Sequence, residues 1–98
     1  MSKIKAGIIG GAGYTGGEMI RLLMNHPLVE IDYVNSNSNA GNSIDSVHKD
    51  LLGDIKLNFT NEIKTDVDVV FLCLGHGESK VFLERQSFPE QVKIIDLS

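Results

Sequence analysis

Between Ala6 and Leu23 the chain reads AGIIGGAGYTGGEMIRLL, and six glycines crowd into it. Inside a helix or strand each would cost about 0.5–1 kcal/mol relative to alanine. Two spacings fit known chemistry. Gly11-x-Gly13-x-x-Gly16 matches the dinucleotide fingerprint, and Gly10-x-x-Gly13-x-x-Gly16 matches the variant whose first glycine ends the strand. Both start a helix at Gly13 and put Gly16 in its first turn. The first glycine would make the tight turn, Gly13 would let a pyrophosphate approach the backbone, and Gly16 would let the helix pack against the strand. Free amides at a helix N-terminus, helped by the helix dipole, then hold the phosphates. The competing explanation is a glycine-rich turn needed for packing alone.

About twenty residues further on, where an NAD-specific site carries Asp or Glu for the ribose hydroxyls, the chain reads Asn35-Ser36-Asn37-Ser38-Asn39. No carboxylate there would repel a 2′-phosphate, and hydroxyls, amides and backbone N–H groups could donate to one. This favours NADP, although no Arg or Lys occurs in the loop before Lys49. A solvated Asn/Ser loop with no ligand role is the alternative.

Other reactive side chains are few. Cys73 is the one cysteine and falls in an apolar run, where a thiol packs as a small hydrophobe. His76 sits between Gly75 and Gly77, on a loop following a central strand, where ligands bind in such sheets. His26 precedes Pro27 at a helix end and reads as part of the stop signal. Glu18 is expected in the first helical turn, facing solvent; Asp66 and Asp68 read as strand-boundary residues; His48 is undecided. No catalytic residue and no metal site is assigned.

These residues need a scaffold. Ile4–Gly10 reads as a short apolar strand, and Tyr14–Asn25 as a helix stopped by Asn25, His26 and Pro27. Val29–Asn35 alternates apolar and polar residues as a half-buried strand does. A long polar loop follows, with a short helix near Ser43–Val47, then a short strand at Ile55–Phe59. Val67–Leu74 has the continuous β-branched character of a strand buried on both faces. A helix over Glu78–Gln86 and a strand over Val92–Leu97 complete the pattern. Alternation of this kind gives an α/β fold, a Rossmann-type doubly wound parallel sheet of about five strands in the order 3-2-1-4-5.

The bulk numbers agree with one domain. The chain has 98 residues, 42% hydrophobic and 22% charged, with a formal net charge of −4. An acidic balance argues against nucleic acid or an anionic membrane as partner. A single cysteine leaves no intrachain disulfide, and the longest apolar run, Val69–Leu74, is far too short to span a bilayer. The expectation is a soluble cytoplasmic protein. A last strand running to Ser98 without a cap suggests a fragment.

With the turn and the Asn/Ser loop in hand, the chain resembles the N-acetyl-γ-glutamyl-phosphate reductases of arginine biosynthesis. The matching stretches are GAGYTGGEMIRLLMNHP, NSNSNAG followed by VHKDL, DVVFLCLGHGES and VKIIDLS. They lie in order along nearly the whole chain. The related aspartate-semialdehyde dehydrogenases share the turn but not the Tyr14-Thr15 pair or the His-Gly loop. The resemblance implies that Gly13, Tyr14, Thr15 and Gly16 meet the pyrophosphate of NADP, beside Gly10 and Gly11. It implies Ser36, Asn37 and Ser38 near the 2′-phosphate, and Gly75, His76 and Gly77 beside the cofactor. It also implies a homo-oligomeric full-length enzyme that converts N-acetyl-glutamyl phosphate to the semialdehyde through a thioester. The attacking cysteine would belong to a catalytic domain beyond Ser98, so the isolated chain is expected to be inactive. Three departures stand out: Asn37 replaces the family's usual Arg between two serines, Gly75 replaces a usual Pro before His-Gly, and Lys49 replaces a common Pro after His48. The alternatives are an aspartate-semialdehyde dehydrogenase-like enzyme or a stand-alone nucleotide-sensing module.

Overall fold

The structure, a computed structural model, describes residues 3–51, 57–75 and 77–97. Strand β1 (Ile4–Ile9) runs into the glycine turn and helix α1 (Tyr14–Met24). Strand β2 (Val29–Asn35) returns parallel to β1 and leads to the short helix α2 (Ile44–Val47) and one 3₁₀ turn at Lys49–Leu51. Strand β3 (Val69–Leu72), helix α3 (Glu78–Arg85) and strand β4 (Lys93–Asp96) follow. All pairings are parallel and the strand order is β2-β1-β3-β4.

Alternation along the strands sends side chains to two separate cores. Ala6, Ile8 and Val34 face Ile20 and Leu23 of α1 and Ile44 of α2. On the opposite face, Ile9, Tyr33, Val70 and Leu72 pack with Phe82 of α3 and with Phe88. The Tyr33 hydroxyl donates to the Lys64 carbonyl at 3.0 Å, and burial pushes its pKa up to about 12. Helices on both faces of a parallel sheet make this the doubly wound arrangement expected from the sequence. Helix α1 ends one residue short of Asn25, where the His26 ring accepts the Leu28 N–H through Nδ1 at 3.1 Å and helps turn the chain.

Two expectations are refined. First, the sheet has four strands among the described residues, and the expected fifth falls partly outside them. The third predicted strand, Ile55–Phe59, lies partly outside the described residues, and its described part forms no ladder. Thr60 makes one parallel bridge to Asn35, at the edge where the order 3-2-1-4-5 put that strand, while Asn58 bridges antiparallel to Ser43. Thr60 uses both its backbone groups on β2, its N–H donating to the Val34 carbonyl at 3.0 Å and its carbonyl accepting the Ser36 N–H at 2.9 Å, while Phe59 turns its own to the other side, where they pair with Gly41 and Asn42. Second, β3 is not equally buried on its two faces. Val70 and Leu72 are fully buried, whereas Val69 and Phe71 are only half-buried. Beyond them β4 is exposed along its whole length, including Ile94 and Ile95.

Candidate functional site

Strand β1 delivers the chain to Gly10, whose φ of +80° is open to glycine but strained for other residues. A Cβ there would also stand 2.9 Å from the Cys73 carbonyl oxygen. The N–H groups of Gly10 and Gly11 both donate to the Asn35 carbonyl, at 3.0 and 2.9 Å, which folds the turn over the end of β2. Gly16 is buried, and a Cβ on it would lie 2.6 Å from the Gly11 Cα and 2.7 Å from the Gly10 carbonyl oxygen. Gly13 differs from both: its backbone is extended and a Cβ there would meet nothing within 4 Å. It is the N-cap of α1, and no side chain among the described residues caps it. The first-turn amides of α1 therefore have no partner within the helix. Tyr14 and Thr15 sit exposed at this helix start, Tyr14 at 82%.

A cavity of about 250 Å³ opens at the turn, and Gly10, Gly13, Ser36, Ser38 and Gly75 line it. Ser36 is buried, its N–H bonded to the Thr60 carbonyl at 2.9 Å, whereas Ser38 is exposed. Asn37 and Gly77 instead line a larger cavity of about 690 Å³ with Ile63, Val81, Phe82 and Arg85. Leu74 and Glu78 belong to both linings, so the two cavities adjoin. Gly11 and Gly16 lie behind this surface as buried supports, and His76 lies outside the described residues.

Three residues that line the smaller cavity escaped the sequence reading. Ala12 lines the smaller cavity from within the turn, and Leu74 walls both. Glu78 is the more consequential. Its Oε2 accepts the Gly75 N–H at 3.2 Å and places a carboxylate at the junction of the cavities. The one available signal was its position directly after Gly77, as the first residue of a helix at the ligand end of the sheet.

The remaining candidates fall to structural roles. Cys73 is buried at the end of β3, and burial pushes its thiol up to about 11, away from the thiolate a nucleophile needs. Glu18 lies one residue past the first turn of α1 and pairs with Arg21 on the helix surface, a correction by one residue. Asp68 Oδ2 accepts the Lys5 N–H at 2.8 Å, tying the start of β3 to β1. Among the described residues no group of three or more His, Cys, Asp or Glu side chains is placed to hold a metal, and no helix is long and apolar enough to cross a membrane.

A family model, "Semialdehyde dehydrogenase, NAD binding domain", matches residues 5–98. The chain belongs to the semialdehyde dehydrogenase NAD-binding domain family. Curated relatives of this NAD-binding domain include an N-acetyl-gamma-glutamyl-phosphate reductase of Bacteroides fragilis (strain YCH46), 59% identical over 96 residues, or 97% of this chain. The reductase of the same name from Christiangramia forsetii is 57% identical over 95 residues, again 97% of this chain. The chain spans 30% of the length of each of these relatives. Among solved structures, aspartate semialdehyde dehydrogenase with NADP from Candida albicans superposes with a TM-score of 0.69 at 26% identity, covering 97% of this domain and 29% of that chain.

Proposed function

We propose that this domain binds NADP(H) and presents it as the reductant of an N-acetyl-γ-glutamyl-phosphate reductase. The observation that carries the reading is one cavity lined both by Gly13, at the uncapped helix start, and by Ser36 and Ser38. The amides of Tyr14, Thr15 and Gly16 are the donors for the pyrophosphate, with Gly10 and Gly11 shaping the turn that leaves Gly13 open. Ser36, Asn37 and Ser38 receive the 2′-phosphate. Arg85, which lines the same cavity as Asn37, supplies a cation that the loop lacks. The adjoining cavity, walled by Ile63, Leu74, Val81 and Phe82, suits the flat apolar faces of adenine. Gly75, His76 and Gly77 lie beside the cofactor in this reading. When bound, NADPH supplies a hydride.

The substrate assignment rests on the relatives named above, at 57–59% identity. Residues 1–98 are read as the cofactor-binding portion of a longer, cytoplasmic, homo-oligomeric enzyme. The acyl-phosphate chemistry is assigned, as the family resemblance implies, to a cysteine outside these residues; Cys73 itself is buried.

Titration of the chain with reduced cofactors, followed by nicotinamide fluorescence, tests the binding. NADPH is expected to bind tighter than NADH by roughly tenfold, about 1.4 kcal/mol. Equal affinities, or tighter NADH, would overturn the roles of Ser36 and Ser38. Turnover by the full-length protein tests the rest: N-acetyl-glutamyl phosphate is the expected substrate, and a preference for aspartyl phosphate would move the enzyme to the aspartate-semialdehyde dehydrogenases. Cofactor binding with turnover of neither would make it a sensing module.

A further inference from the structure

Two sequence features remain unused by the site as described, His48 and the second glycine of the Gly16-Gly17 pair, and the structure puts them in contact. His48 is the C-cap of α2, held by its N–H to the Ile44 carbonyl at 2.9 Å. Its half-buried ring reaches back to the glycine turn, where Nε2 lies 2.6 Å from the Gly11 carbonyl oxygen. A carbonyl only accepts, so Nε2 carries the proton and donates. The ring lies against Gly17, where a Cβ would stand 2.6 Å from both Cε1 and Nδ1. Phe59 supports it from another side, its ring centroid 6.2 Å away at an interplanar angle of 60°.

We propose that His48 is a positioning residue for the phosphate-binding turn, acting through the Gly11 carbonyl on the peptide that carries the Ala12 N–H. The peptide bond is planar and trans, so its C=O and N–H point in opposite directions. Tying the Gly11 oxygen to His48 turns the Ala12 N–H away from α2. Ala12 itself lines the smaller cavity, next to Gly13. Without the imidazole, the Gly11–Ala12 peptide is free to rotate, and both the Ala12 amide and the extended backbone at Gly13 lose a fixed direction. The requirement for glycine at position 17 follows from the same contact, because any side chain there displaces the ring. His48 touches the back of the turn, and the inference rests on the reading that the pyrophosphate binds its front.

The test compares two ligands on the full chain: NADPH, which needs the turn, and adenosine 2′-monophosphate, which has no pyrophosphate. His48→Phe keeps a ring and removes the donor; it is expected to weaken NADPH roughly tenfold, the effect of losing one well-placed hydrogen bond. Adenosine 2′-monophosphate is expected to stay within about twofold. His48→Gln, which restores an N–H at similar reach, is expected to recover most of the NADPH affinity. Gly17→Ala is expected to act like His48→Phe, and to add little to it in the double variant, because the two changes break one contact. Unchanged NADPH affinity in His48→Phe would overturn the proposal, as would equal weakening of both ligands or no recovery in His48→Gln. If His48→Phe does not fold, Gly17→Ala and His48→Gln decide by the same two-ligand comparison. A native chain that binds no NADPH would instead overturn the cofactor reading.

Discussion

Two helices in this domain start at a glycine on the same edge of the sheet, and their starts are arranged in opposite ways. Helix α1 begins after Gly13 with Tyr14-Thr15-Gly16-Gly17, a first turn without a carboxylate, and the N-cap is extended and uncapped by any described side chain. Helix α3 begins after Gly77, which is left-handed at φ 82°, and its first residue is Glu78. That carboxylate folds back onto the Gly75 N–H at 3.2 Å, and the Glu78 N–H donates to the Gly75 carbonyl at 3.0 Å. One helix start keeps its positive end available, while the other answers it with an anion of its own. Glycine before a helix is therefore a poor indicator of a phosphate site until the residue that follows is read with it.

The largest expected effect comes from filling the open start. Gly13→Val puts a branched side chain where a Cβ meets nothing within 4 Å. It should weaken NADPH by roughly 100-fold or more, about 2.7 kcal/mol, with little change in thermal unfolding. Retained binding would remove the pyrophosphate from α1. Gly16→Ala, three residues on, should behave differently. Its Cβ meets backbone at 2.6–2.7 Å, so it should destabilise the fold by about 1–3 kcal/mol in a denaturant melt. A Gly16→Ala protein as stable as the parent would show that the turn has slack.

A smaller effect is expected at the other helix. Glu78→Gln removes the anion shared by the two cavities and should tighten NADPH by about threefold, within the range of one exposed charge interaction. Weaker binding would mean that the carboxylate positions the Gly75–Gly77 loop and does not merely repel phosphate. The smallest effect is a titration. Cys73 lines the smaller cavity between the helix starts, so its thiol reports the local balance of burial and dipole. Burial raises it from 9.0 to about 11. The neutral thiol thus stabilises the fold below pH 9, and that contribution fades as pH rises from about 9 to about 11. Thiol alkylation across pH reads the value directly. A pKa at or below 9 would show the dipole of α1 dominating the site.

Much of this was legible along the chain because it is local. The 3.6-residue pattern of Met19, Ile20, Leu22 and Leu23 gave α1 to within a residue, and the alternation in Val29–Asn35 gave β2 at both its ends. The glycine spacing located the turn. What escaped depends on partners far apart in sequence. Nothing near Phe59 signals that Gly41 and Asn42 pair with its backbone groups. His48 bonds to a carbonyl 37 residues away, a contact that periodicity does not encode. In the sequence Glu78 is only the start of a helix, because its reach depends on the left-handed step at Gly77.

The Asn35 carbonyl, which takes the N–H groups of both Gly10 and Gly11, has a practical consequence for redesign. The last peptide of β2 is a hinge pin shared by the glycine turn and the loop proposed to receive the 2′-phosphate. Exchanging that loop to switch cofactor preference is safest if the cut is made after Asn35. Any residue at position 35 keeps that carbonyl, but Asn35 is buried and its Nδ2 donates to the Glu62 carbonyl at 3.4 Å. A graft starting one residue earlier would therefore loosen the strand end that aims the oxygen, and a change meant for specificity would be read as a loss of affinity.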